Sequence, residues 1–196
     1  TMKTTQANQL KRALIWSGPS LIDGKPIALI TIKGSENVKT GGVIQSYIIR
    51  TDISPLDASK TGADVSICGD CMHRGQPTDN PIKKQAEKRS CYVNLGQGPT
   101  IVYKGLQRGI YPKVSPEEIR GFSGGYNLRM GTYGDPAAVP REVWDMLLTG
   151  AISSGHSWTG YTHNAKVQPS IVDLCMVSAD SPQQAAANKQ HGKRTF

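Results

Sequence analysis

Two runs of β-branched residues dominate the hydrophobic pattern of the N-terminal part, "KPIALITIKG" (25 to 34) and "GVIQSYIIRT" (42 to 51). Residues of this kind fit a pleated, half-buried surface, so both runs predict strands. The connection "SENVKTG" is too long for a tight hairpin, and the pairing it predicts is antiparallel. From about 52 to 118 the apolar positions follow neither a period of two nor one of 3.6, which predicts a loop-rich middle. A stretch of that length inside a compact domain needs something to hold it, and a metal ion would serve.

The rhythm changes from residue 126. "YNLRMGTYG" predicts a strand, and "PREVWDMLLTGAISSG" a helix with Pro140 in its first turn and Trp144, Leu147, Leu148 and Ile152 on one face. "SWTGYTH" and "IVDLCMVSAD" add strands. "SPQQAAANKQHG" predicts a helix with Ser181 as N-cap, Pro182 first inside and Gly192 at the stop, and "KRTF" closes as one more strand. Strands alternating with helices predict βαβ units. The fold class is therefore α/β (or α+β). An N-terminal antiparallel β pair and a Cys-rich loop region precede βαβ units of a mostly parallel sheet of partial-barrel form. One domain spans 1–196, in three parts: β-rich 1–60, a basic Cys-rich segment 61–118, and the βαβ-type part 119–196.

Composition bounds the rest. The chain has 196 residues, 21 glycines and 12 prolines, with 37% hydrophobic residues, enough for one core without disulfides. The longest apolar run, "IALITI", is far too short to span a bilayer, so no membrane role is expected. The first residues lack the apolar core of an export signal, which predicts a cytoplasmic protein, in the host cell if phage-encoded. Twenty-three basic against fifteen acidic side chains give a net charge of +8. That balance favours an anionic partner, nucleic acid being the commonest. The charge concentrates in "KKQAEKR" (83 to 89) and "KQHGKR" (189 to 194).

"SICGDCMHRG" (66 to 75) holds Cys68 and Cys71 in a CxxC, with Cys91 following after nineteen residues. Two thiolates at this spacing can grip one tetrahedral ion. The second CxxC of a zinc ribbon is missing, so the fourth ligand falls to His73, Cys175, a remote histidine or an exogenous group. Three protein ligands and an open position suit zinc or, alternatively, an iron–sulfur cluster. Two reduced thiols on a glycine turn are the competing reading. Cys175, inside an apolar strand, reads as a small buried hydrophobe.

In parallel sheets function gathers at the carboxyl ends of strands. Asp135, Tyr161, His163 and Asp180 stand at such ends. Asp135 and Asp180 are candidates for nucleophile or general base, and His163 for acid, base or metal ligand. An Asp before Pro, or before Ser-Pro, is equally a turn or helix-entry residue. The glycine-rich pieces match neither a P-loop nor a dinucleotide fingerprint. In "YVNLGQGPTIVYKGLQRGIY" Tyr92, Tyr103 and Tyr111 interleave with Lys104 and Arg108, a mixture suited to stacking on bases and pairing with phosphates and equally to a half-buried strand pair. Tyr92 with Arg74, Lys83, Lys84, Lys88 and Arg89 are the candidate nucleic-acid contacts.

"NVKTGGVIQ", "ICGDCMHR", "SCYVN", "GTYGDPAAVP", "WTGYTH" and "SADS" together resemble uncharacterised proteins of bacteriophages and prophages, over most of the chain. The resemblance implies no settled activity; it implies relatives that run past "KRTF" with further cysteines. Two functions lead on these grounds, ahead of a third. One is a base-modifying or base-exchanging enzyme on nucleic acid, analogous to guanine transglycosylases with their structural zinc, with Asp135 as nucleophile or base and His163 as proton carrier. The other is a non-catalytic, metal-stabilised DNA- or RNA-binding protein in phage replication or host takeover. A nicking enzyme using Tyr161 as nucleophile is a third.

Overall fold

The computed structural model describes residues 7–34 and 42–196, so the connection "SENVKTG" and part of "NVKTGGVIQ" lie outside the described residues. Six strands form one sheet in chain order: β1 (Arg12–Pro19), β2 (Pro26–Ile32), β3 (Ile44–Arg50), β4 (Leu128–Tyr133), β5 (Trp158–Thr162) and β6 (Met176–Val177). The β1–β2 and β2–β3 pairs are antiparallel, and the β3–β4, β4–β5 and β5–β6 pairs are parallel. The chain is thus α/β with an N-terminal antiparallel β portion, as its patterning predicts. Both edges are taken by single bridges, Leu14 to Lys113 and Val177 to Thr195. The "KRTF" end therefore reaches the sheet as one bridge rather than a strand.

β2 and β3 are buried along nearly their whole length, which explains their unbroken apolar runs. β1 is the strand that the hydrophobic pattern does not announce. Its alternately exposed and buried "RALIWSGP" is interrupted by a register shift between Leu14 and Trp16.

The middle of the chain differs from its predicted loop character. Among the described residues it carries α1 (Pro55–Thr61), α2 (Val65–Cys68), α3 (Gly98–Gln107) and α4 (Pro116–Ser123). Each is short, and α1, α3 and α4 open with Pro in the first turn. α4 has a full capping box, with the Ser115 hydroxyl accepting from the Glu118 amide and the Glu118 carboxylate accepting from the Ser115 amide.

α5 (Arg141–Ser153) buries Val143, Trp144, Leu147, Leu148 and Ala151, whereas Ile152, assigned to the same face from the pattern, is 50% exposed. The Trp144 indole donates to the Pro136 carbonyl at 3.0 Å, fixing α5 to the turn after β4. α6 (Pro182–Gln190) starts at the Ser181 cap, as its sequence predicts.

Lys33, just past β2, is buried, with its ammonium 4.3 Å from the Phe122 ring centre and 5.1 Å from that of Tyr126. It donates to the Asn8 carbonyl at 2.8 Å. Burial nevertheless pushes its pKa from 10.5 down to about 8. The folded chain therefore releases this proton before the unfolded chain does. The cost is fully present below pH 8, and stability rises between about pH 8 and 10.5. Lys33→Met should remove that rise. Urea midpoints of parent and variant, followed across this pH window, should converge as the pH increases; a constant difference would contradict the assignment.

Candidate functional site

The carboxyl ends of β4, β5 and β6 face the CxxC segment across a cavity of about 500 Å³. Its lining includes Cys68, Cys71, His73, Cys91, Tyr133, Asp135, Tyr161, His163 and Asp180. Residues far apart in the chain are brought together here, and the agent is a hydrogen-bond hub on Asp135.

Asp135 is 7% exposed, and both carboxylate oxygens are engaged. Oδ1 accepts from the Ala137 amide (2.9 Å) and the Thr162 hydroxyl (2.7 Å). Oδ2 accepts from the His163 amide (2.8 Å) and the Asn164 carboxamide (2.7 Å). Burial raises its pKa, while these four donors pull it back. Each oxygen thus already accepts two hydrogen bonds. With these bonds Asp135, expected as nucleophile or base, caps the turn Pro136–Ala138 and locks the end of β5.

Asn164 extends the hub to the cysteines. Its carboxamide oxygen accepts from the Asp70 amide at 2.9 Å, and its NH₂ donates to the Cys68 carbonyl at 2.9 Å. The CxxC is a β-turn closed by the Cys71 amide on the Cys68 carbonyl at 3.2 Å, with Gly69 at φ 53°, ψ −127° in its first central position. That is type II′ geometry, which selects glycine. A Cβ on Gly69 would fall on the Asn164 carboxamide.

The three cysteines are free and line one cavity. Among the described residues, however, they do not form a convergent set of three metal-ligand atoms; the set that does is His73, His163 and Asp180. The Cys68, Cys71, Cys91, His73 quartet expected from spacing is thus not assembled as a tetrahedron. The Cys91 amide donates to the His73 carbonyl at 3.0 Å, which brings Cys91 beside the CxxC turn without closing three sulfurs on one point. Burial pushes the Cys68 and Cys71 thiols up, and neighbouring thiols push the same way. Cys175 is fully buried, its thiol raised to about 12 by burial, in keeping with a core role.

At the convergent set, Asp180 Oδ1 lies 3.3 Å from His73 Nε2 and 3.5 Å from His163 Nε2. The His73 Nδ1 pairs with the Ser90 hydroxyl at 2.8 Å. His163 Nε2 is buried with no hydrogen-bond partner, and so is the hydroxyl of Tyr133. Two orphaned polar atoms in one cavity wall mark a place where a ligand would complete the bonding.

The basic residues divide. Arg74 lines the cavity but its guanidinium is held internally, donating to Asp64 at 2.6 Å and to the Gly62 and Gly69 carbonyls. Lys83, Lys84 and Lys88 are exposed and stand outside the cavity lining. Arg89 and Tyr92 do line it. Three further lining residues, Arg129, Tyr133 and Phe196, were not singled out by sequence reasoning. Arg129 donates to the Tyr92 hydroxyl at 2.6 Å, and Phe196 packs on Tyr161 with ring centres 4.3 Å apart. The alternation of β4, which puts Arg129 on the face opposite Leu128 and Met130, is the signal that could have found the first.

No family model matches the chain, and no curated protein or solved structure matches it. Among the described residues no helix is long and apolar enough to cross a membrane.

Proposed function

We propose that the protein is an enzyme acting on nucleic acid that takes a single base or nucleotide into this cavity for modification or exchange. The observation that carries the reading is the composition of one cavity. Aromatic rings (Tyr92, Tyr161, Phe196) and guanidinium groups (Arg89, Arg129) surround a cluster of titratable side chains (His73, His163, Asp180). Rings offer a stacking face to any base, guanidinium groups pair with phosphate, and an extruded base must enter a pocket before chemistry can reach it. The net charge of +8 supports an anionic partner. The chemistry in this proposal is placed at the cluster of His73, His163 and Asp180, with Asp135 holding the strand ends beneath it. A phage-encoded role in modifying DNA or taking over the host is part of the same proposal.

Titration with fluorescein-labelled single-stranded DNA tests it. Affinity should fall with salt at a log–log slope of about −0.7 for each phosphate neutralised. Tyr92→Ala should weaken binding by about tenfold, the loss of one stacked base. Binding that ignores both salt and Tyr92 would remove nucleic acid as the partner. DNA that the parent binds but leaves unchanged by mass spectrometry, with binding that persists in full after His163→Ala, would leave a binding protein without catalysis.

A further inference from the structure

We propose that His73, His163 and Asp180 form a mononuclear, zinc-type metal site with its open coordination position facing the cavity. The site stands on geometry and does not depend on which substrate the cavity takes. A tetrahedral ion with bonds of about 2.1 Å to nitrogen and oxygen sets its ligand atoms about 3.4 Å apart. The two separations to Asp180 Oδ1, 3.3 and 3.5 Å, bracket that edge. All three ligand atoms lie within 4.8 Å of one another, so one ion can reach them together.

The hydrogen bonding around the imidazoles fits the same assignment. The contact of His73 Nδ1 with the Ser90 hydroxyl leaves Nε2 to face the ion, the usual outer-shell arrangement that fixes tautomer and ring orientation. His163 Nε2 is buried and has no hydrogen-bond partner; its approach to Asp180 is long for a bond, and a metal would satisfy both. The edge-on packing of the two rings, centres 6.0 Å apart at 71°, aims two nitrogens at one point without stacking the imidazoles.

The ligands come from three segments: the turn after the CxxC, the end of β5 and the loop after β6. The Asp135–Asn164 hub ties the first two together. The CxxC turn thus works in this assignment as the scaffold of a metal site rather than as its ligand source. Three protein ligands and an open position are the arrangement of catalytic zinc, which activates a bound water or polarises a substrate oxygen.

Cobalt(II) titration of the purified full chain tests the assignment without reference to activity. The parent should bind one equivalent, with the visible absorption of tetrahedral cobalt and no strong thiolate-to-cobalt charge-transfer band in the near ultraviolet. His163→Ala and Asp180→Asn should each lower affinity at least about 100-fold, and Ser90→Ala about tenfold, with unchanged circular dichroism. Cys68→Ser and Cys91→Ser should bind as the parent does. Intense thiolate charge transfer that disappears in Cys91→Ser would overturn the proposal in favour of cysteine ligation. So would a parent that binds neither cobalt nor zinc, leaving Asp180 in plain ion pairs with the two histidines. Because the readout is the metal spectrum, loss of DNA binding in the preceding titration leaves this result standing, and the converse holds.

Discussion

Asp135→Asn is expected to lower the free energy of unfolding by about 3 kcal/mol, a loss near 10 °C in Tm for a chain of this size. The side chain is nearly isosteric, so the effect comes from hydrogen bonding. The aspartate accepts four bonds, two of them from backbone amides that cannot turn away. An asparagine has one oxygen and one NH₂. Placed toward Oδ1, the NH₂ confronts the Ala137 amide; placed toward Oδ2, it confronts the amide of His163 and the NH₂ of Asn164. Either way at least one buried amide loses its acceptor, at about 1–3 kcal/mol, and the remaining bonds lose the charge that strengthens them. Urea unfolding with an unchanged m-value would check this. An Asp135→Asn protein as stable as the parent, yet without turnover, would return Asp135 to the nucleophile role suggested by its place at a strand end.

The contrast between these two roles shows what the chain reveals about its own structure. "GDP" reads locally as a turn entry, and Asp135 does cap the turn that follows. The three further donors come from 162, 163 and 164, and no local pattern announces them. β2, β3, β4 and β5 are legible because each carries its own apolar run or alternation. The helices of the middle are not, because a seven-residue α1 or an α3 opened by Gly-Pro shows too few turns for a period to emerge. α4 was legible in principle through the capping-box spacing of Ser115 and Glu118.

The candidate site divides the same way. CxxC spacing correctly brings Cys68 and Cys71 to one turn, but convergence with Cys91 depends on where a distant segment lands. The cluster of His73, His163 and Asp180 has no spacing signature at all, since its members come from separate crossings of the sheet end. What the sequence does carry is the glycine between the cysteines, and its meaning is steric.

Gly69→Ala should cost about 3–5 kcal/mol, more than an ordinary glycine substitution at positive φ, which costs about 1–2 kcal/mol. The excess is the collision of the new Cβ with the Asn164 carboxamide, a side chain 3% exposed that bonds Cys68, Asp70 and Asp135 at once. Displacing it leaves the Asp70 amide and one Asp135 lone pair without partners. Asn164→Ala should itself cost about 2–3 kcal/mol through the same lost bonds. The double variant is the decisive measurement, because with Asn164 shortened the new Cβ has room and only the backbone strain remains. The two substitutions together should therefore cost at least about 1 kcal/mol less than the sum of their separate effects. Strict additivity would mean that Gly69 matters only for its turn geometry, and that the CxxC segment is held to the end of β5 by something other than Asn164.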